Sequence, residues 1–272
     1  MKRVFALIMA AAFCLAALTA CGGTGATTSQ PAEGSAASAE PAKADATFKL
    51  AKDGVLTMAT NAYFPPYEFY QGDKIVGIDA EIAAAIADKL GLKLKIEDME
   101  FDSIITAVQT GKVDMGLAGM TVTEDRLKNI DFSDSYAQGV QVVIVKGDSS
   151  IATLDDLKDK KIGVQLATTG DIYAKDDFGQ EHVVEYNKGN DAVMALTQGQ
   201  VDAVIIDNEP AKSYVAANEG LKILDTKYVT EDYAACISKE NEELTKAVNK
   251  ALAELKKDGT IKKIQDKYIS AK

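Results

Sequence analysis

Arg126 is the only arginine beyond Arg3 in this chain; every other basic residue after that point is lysine. The guanidinium is a planar, always-charged fork that grips a carboxylate through two N–H donors, which a lysine ammonium cannot reproduce. Arg126 follows a strand end in Gly119-Met-Thr-Val-Thr-Glu-Asp-Arg126, where the Thr121 hydroxyl and the Gly119 backbone can add hydrogen bonds. A chance surface arginine is the alternative. Asp207 closes the apolar run Ala203-Val-Ile-Ile-Asp207. A carboxylate there is costly if buried without a partner, so it should face an opening and meet a cation. Otherwise it caps the helix opened by Asn208-Glu209-Pro210. Thr168-Thr169-Gly170-Asp171 opens a further helix, and amides at a helix start favour an anion. N-capping by the threonine pair is compatible with that role. A fork for a carboxylate and an anion for an ammonium are what an α-amino acid requires.

Aromatic residues Tyr63, Phe64, Tyr67, Phe69 and Tyr70 straddle Pro65-Pro66, and Phe101 follows a predicted strand. Such rings are mostly core, but Asn61-Ala-Tyr-Phe-Pro-Pro is loop chemistry, so one or two should line an opening. Catalytic signals are absent by comparison. His182, the one histidine, lies in a charged Gln-Glu-His-Val stretch without metal-ligand spacing, and no nucleophile motif is present. The sequence implies neither a metal nor a cofactor.

The elements that must position these residues alternate between strand and helix. Residues 55–60 read as a strand, 79–90 as a helix ended by Gly91, 94–96 as a strand and 103–110 as a helix. A second set covers 154–230, with a strand over 161–165 and a helix over 169–177. This is the pattern of α/β proteins with mostly parallel sheets. One echo links the halves. Ala107-Val-Gln-Thr-Gly111-Lys-Val-Asp114 resembles Ala195-Leu-Thr-Gln-Gly199-Gln-Val-Asp202, each reading as helix end, glycine cap and Val-Asp opening a strand. Corresponding strand ends would then carry Gly119 to Thr121 in one half and Asp207 in the other, at the edge where open α/β sheets bind ligands. The tail from Cys236 should return to the first half. The chain would then cross twice, near Tyr136–Val140 and Val229–Tyr233, forming a hinge.

The first twenty residues read as an export signal: Lys2 and Arg3, an apolar run to Ala17, then Leu18-Thr-Ala-Cys21, which resembles a bacterial lipobox with lipidation of Cys21. Residues 21–47 are rich in Gly, Thr, Ser, Ala and Pro and read as a flexible tether. Cys236 is then the last free thiol, in an apolar run, and is expected to be buried. Without the signal, 41 acidic residues face 28 basic ones. That balance disfavours nucleic acid and anionic membrane surfaces as partners.

Linked motifs, in order and across residues 48–270, carry a family resemblance: Ala59-Thr-Asn61, Phe64-Pro-Pro-Tyr-Glu-Phe69, Gly77-Ile-Asp-Ala-Glu-Ile82, Gly119 to Arg126, and Ile130-Asp-Phe-Ser-Asp134. The chain resembles the polar amino-acid solute-binding proteins of ABC importers, such as the glutamine-binding and lysine/arginine/ornithine-binding proteins. The resemblance implies a two-lobed, periplasmic-binding-protein-like α/β fold. Each lobe is a mixed, mostly parallel sheet flanked by helices: lobe 1 from 48–138 plus 234–272, lobe 2 from 139–233, joined by a two-segment hinge. It implies that Arg126 and Thr121, aided by Thr169, hold the α-carboxylate. Asp207 and the Gly119 carbonyl take the ammonium, and Phe64 and Phe101 flank the side chain. Asn61 stands where members reading amide or basic side chains often carry aspartate, and Gln165 where some carry lysine. Both lean toward a neutral polar ligand, although the loop from Gln165 to Gly170 looks like that of some arginine-binding members, so a basic ligand stays open. The expected protein is a monomeric lipoprotein on the extracytoplasmic face of a bacterial membrane, without cofactor or metal. It would capture a free polar L-amino acid and hand it to ABC permease subunits. The alternatives are a carboxylate-dependent dehydratase on the same fold, and a ligand-sensing receptor partner.

Overall fold

The computed structural model describes residues 48–226 and 228–269; the signal, the tether and Cys21 lie outside them. The first sheet begins with β1 (Val55–Thr60), followed by a small three-stranded sheet of β2 (Tyr63–Phe64), β3 (Glu68–Gln71) and β4 (Lys74–Val76). Helix α1 (Ile78–Leu90), β5 (Lys93–Asp98), α2 (Phe101–Gln109), β6 (Met115–Gly116), the single-turn α3 (Glu124–Leu127) and β7 (Asp131–Phe132) follow. Then come β8 (Ala137–Lys146), β9 (Ile162–Gln165), α4 (Thr169–Phe178), β10 (Val183–Tyr186), α5 (Gly189–Thr197), β11 (Ala203–Asp207), α6 (Asn208–Ala217) and β12 (Leu221–Ile223). The chain ends in β13 (Thr230–Tyr233), β14 (Cys236–Ile237), α7 (Glu242–Lys257) and α8 (Thr260–Tyr268).

Two mixed sheets result, one in each lobe. The first has the order β5-β1-β6-β14-β7, in which only β14 runs against the rest. The second has the order β10-β9-β11-β8-β12, in which only β8 does. The tail does return: β14 pairs with β6 and β7, and α7 and α8 pack on α1. The two crossing segments pair with each other, β13 antiparallel to the start of β8 from Val140 to Ala137.

Local chemistry accounts for the elements. In α1, Ile78, Ile82 and Ile86 recur at helical spacing and are fully buried, each contributing about 1.5–3 kcal/mol, and left-handed Gly91 (φ 68°) ends the helix. The internal echo is structural. Gly111 and Gly199 both adopt left-handed backbone (φ 68° and 73°), and both aspartates that follow tie down a neighbouring strand entry. Asp114 accepts from the Thr57 amide at 2.6 Å and the Ala51 amide at 2.7 Å; Asp202 accepts from the Lys161 amide at 2.9 Å. Asp114 therefore precedes its strand rather than opening it, and ladder pairing starts at Met115. Helix α2 begins at Phe101, two residues earlier than the periodicity predicts, because extended Glu100 serves as its N-cap. Cys236 is fully buried in β14, where burial pushes its thiol up to about 12.

Candidate functional site

Both sheets direct strand ends and loops into one narrow cavity between the lobes. It is lined by Asn61, Phe64, Phe101, Gly119, Thr121 and Arg126 from the first lobe, and by Gln165, Thr168, Thr169 and Asp207 from the second. These are the ten residues expected from the sequence. Glu68 and Ala118 complete the lining. The space is about 10 Å³, room for about one water, so the lobes are nearly shut on one another.

Arg126 sits on α3, whose N-cap Thr123 accepts from the Arg126 amide at 3.2 Å. Its side chain is not a surface group: the residue is 8% exposed. The guanidinium donates to the Thr121 carbonyl at 2.7 Å and, across the crevice, to the Ala167 carbonyl at 2.9 Å. It lies 5.4 Å from the Phe101 ring centroid, within cation–π range. No carboxylate of the described residues pairs with it. Burial pulls its pKa below the ordinary value, opposed by the charges of nearby groups including Glu231 and Asp207. A desolvated fork held only by carbonyl oxygens is an incomplete ion pair.

The helix α4 opens beside it. Thr168 is its N-cap, accepting from the Asp171 amide at 3.3 Å, while the Asp171 carboxylate accepts from the Ala167 amide at 3.0 Å. Capping and cavity lining thus coincide at Thr168. Ala167 has φ 63°, the left-handed region in which an L residue is uncommon, and its carbonyl is the one that meets Arg126. Thr169 and Gly170 are the first helical residues, whose amides have no carbonyl four residues back within the helix. The Thr169 hydroxyl donates to Glu231 at 3.0 Å and lies 3.5 Å from the Thr121 hydroxyl.

Asp207 ends β11 and stands at the N-cap position of α6, but its side chain makes no capping bond there and lines the cavity instead. One oxygen accepts from the Tyr233 hydroxyl. Burial pushes its carboxyl up to about 7, Glu231 adds to the rise, and the Tyr233 and Gln141 hydrogen bonds oppose it. Gly119 has φ 53°, and a Cβ there would stand 2.8 Å from the Phe64 ring, so both backbone and ring require glycine. Its amide donates to Asp79 at 2.8 Å.

At the other end of the cavity the Asn61 amide both donates and accepts. It donates to the Met99 carbonyl at 2.9 Å and accepts from Gln165 of the opposite lobe at 3.0 Å; Gln165 also donates to the Asn187 carbonyl at 3.1 Å. The lobes meet again where the Tyr214 hydroxyl donates to the Tyr63 carbonyl and where the Lys188 ammonium sits 3.6 Å from the Tyr63 ring centroid.

Two acidic groups were missed by reading the sequence. Glu68 lines the cavity, 1% exposed, in the motif Phe64-Pro-Pro-Tyr-Glu-Phe69; an acid set among three aromatic rings and two prolines is the available signal. Glu231, in the second crossing strand, accepts from Gln141 at 2.9 Å, Thr169 at 3.0 Å and Tyr173 at 2.9 Å. Among the described residues, no group of three or more His, Cys, Asp or Glu is placed to hold a metal ion, and no helix is long and apolar enough to cross a membrane.

Proteins of known sequence and structure resemble this chain. The arginine-binding extracellular protein ArtP of Bacillus subtilis is 36% identical over 224 residues, 79% of this chain and 86% of that protein. The L-cystine-binding protein TcyJ of Escherichia coli is 30% identical, covering 82% of this chain and 85% of its own length. Among solved structures, an ancestral arginine-binding protein bound to glutamine is 43% identical with a TM-score of 0.77, covering 81% of this chain and all of that one. An ancestral arginine-binding protein bound to arginine is 44% identical with a TM-score of 0.75, covering 80% and 99%. The family model for bacterial extracellular solute-binding proteins, family 3, matches residues 56–271, and the chain belongs to that family.

Proposed function

We propose that this protein captures a polar L-amino acid between its lobes and delivers it to an ABC importer. The observation that carries the reading is the buried Arg126 guanidinium without a carboxylate partner among the described residues, in one cavity with the buried carboxyl of Asp207. An α-carboxylate on the fork would displace the Ala167 carbonyl and reach the Thr121 hydroxyl and the first amides of α4. An α-ammonium on Asp207 and the Gly119 carbonyl would neutralise the second charge, with Phe64 and Phe101 against the side chain. With about 10 Å³ of space, entry requires the lobes to part. The proposed division is 48–138 plus 234–272 against 139–233, rotating about the paired β8 and β13 segments.

Asn61 and Gln165 alone favour a neutral polar side chain. Glu68 supplies the anion that Asn61 lacks and tips the choice toward a guanidinium, with an amide second. Arginine and glutamine are also what the bound ancestral structures hold. Titration calorimetry on protein unfolded and refolded to strip carried ligand should rank L-arginine first and L-glutamine second among the twenty amino acids. Silence from all twenty would overturn the assignment. Asn61→Asp should raise the arginine-to-glutamine affinity ratio while weakening both, since its new oxygen faces the Met99 carbonyl. An unchanged ratio would remove residue 61 from the side-chain pocket. No residue assigned here needs to turn a substrate over, so binding without product formation is expected.

We also propose that residues 1–20 direct export, that Cys21 is acylated, and that residues 21–47 tether the lobes to the outer face of the membrane as a monomer. Cys21→Ala should move the protein from the membrane fraction to the medium or periplasm; retention on the membrane would refute the anchor.

A further inference from the structure

Glu68 lines the cavity, and Asp79, which does not itself line it, stands against it as a hydrogen-bonded neighbour. Asp79 spends one oxygen, Oδ2, on the Gly119 amide at 2.8 Å and the Tyr136 hydroxyl at 2.7 Å. Its other oxygen, Oδ1, and Glu68 Oε2 are both buried, and neither has a donor. Two ionised carboxylates offer only acceptors, so a hydrogen bond between them requires a proton on the pair. A proton on the pair would supply the donor that the Glu68–Asp79 contact otherwise lacks. From this geometry we infer that Glu68 and Asp79 share a single proton, which a cationic ligand side chain expels to solvent and a neutral polar side chain leaves in place.

The surroundings favour holding that proton. The groups acting on Glu68 are the carboxyls of Asp79, Asp207 and Asp98, with the Tyr67, Tyr136 and Tyr214 hydroxyls packed around the pair, and none is cationic. Burial is the largest cause lifting both carboxyls, Asp79 to about 6 and Glu68 well above its ordinary value. With the proton, Glu68 shows the cavity a neutral acid that donates or accepts and suits an amide. Without it, the pair carries two negative charges and suits a guanidinium. One site would thereby accept side chains of either charge, and arginine affinity would rise with pH relative to glutamine affinity. The two protonation steps belong to the pair rather than to either residue.

The inference rests on the amino-acid reading, and calorimetry separates the two. L-Arginine and L-glutamine are titrated at pH 7 in phosphate and in Tris, whose ionisation enthalpies differ, so that the buffer dependence of the heat counts protons released. Ionisation of Asp207 by the α-ammonium contributes equally for both ligands. The expected result is an excess release with arginine approaching one proton per ligand, absent in Glu68→Gln. Asp79→Asn should shrink it, because the variant removes the neighbouring charge that helps Glu68 hold the proton and offers an amide donor in its place; this variant serves if Glu68→Gln binds arginine too weakly to measure. Equal release by the two ligands, or an excess that survives both substitutions, overturns the inference and leaves the amino-acid reading standing. Failure of both ligands to bind overturns the reading and the inference with it.

Discussion

Replacing Arg126 with alanine lowers affinity for the captured amino acid by about 2–5 kcal/mol, the cost of truncating one partner of a buried, hydrogen-bonded charge pair. That is about 30-fold to a few thousand-fold in Kd. The expectation is large because the guanidinium is buried and already aligned within its own lobe by the Thr121 carbonyl and the Phe101 ring, so closure over a ligand presents the fork to the carboxylate. Little reorganisation opposes the ion pair once a carboxylate enters. Alanine also leaves two carbonyls without their donor, so a general loss of structure must be separated from a lost ligand contact. Arg126→Lys does this: it keeps the charge and loses the fork, and should still weaken binding by more than about tenfold if bidentate geometry matters. Calorimetry on both variants, with thermal melts to establish that each is folded, provides the measurement. A loss below about tenfold in the alanine variant would remove Arg126 from the carboxylate site.

The sequence made Arg126 and Asp207 visible because each breaks a local rule, a fork where lysine serves elsewhere and an acid at the end of an apolar strand. The helix start at Thr168 was legible from capping chemistry, and Gly119 was legible as a strand end with backbone groups to offer, though not as a left-handed turn. The repeated Gly-x-Val-Asp corner placed both strand ends on corresponding edges, and the aspartates of that corner do the same work in both halves. Partnerships between distant segments were not legible. Asn61 meets Gln165 and Arg126 meets Ala167 only across the closed lobes, Thr169 meets Glu231 and Tyr233 meets Asp207 only through the second crossing strand, and no local pattern encodes such pairs. Glu68 was hidden for a related reason. Beside three aromatic rings and two prolines its motif reads as apolar core, and only the fold shows that the strand turns its carboxyl inward.

Asp207→Asn should separate binding from stability in opposite directions. In the folded protein without ligand the Asp207 carboxyl keeps its proton up to about pH 7, against an ordinary value of 3.8, chiefly because burial penalises its charged form. Between those values the folded state holds more protons than the unfolded state, so the residue's contribution to stability falls as pH rises through the window. Above about pH 7 the penalty is complete, on the order of 4 kcal/mol. Asparagine has no charge to desolvate and can still accept from the Tyr233 hydroxyl. The variant without ligand should therefore melt several degrees above the unsubstituted protein at pH 8, with the advantage shrinking to nothing near pH 4. Binding should move the other way, weakening by about 2–5 kcal/mol at pH 7, because the α-ammonium loses its carboxylate. Melting curves from pH 4 to 8, paired with calorimetry, test both halves. A variant no more stable at pH 8 would refute the buried, proton-holding carboxyl. A stabilised variant that binds within tenfold of the unsubstituted protein would place the ammonium elsewhere in the crevice. The expected combination, gained stability with lost binding, would mark Asp207 as a residue kept at a cost to the empty fold because the ligand's charge offsets it.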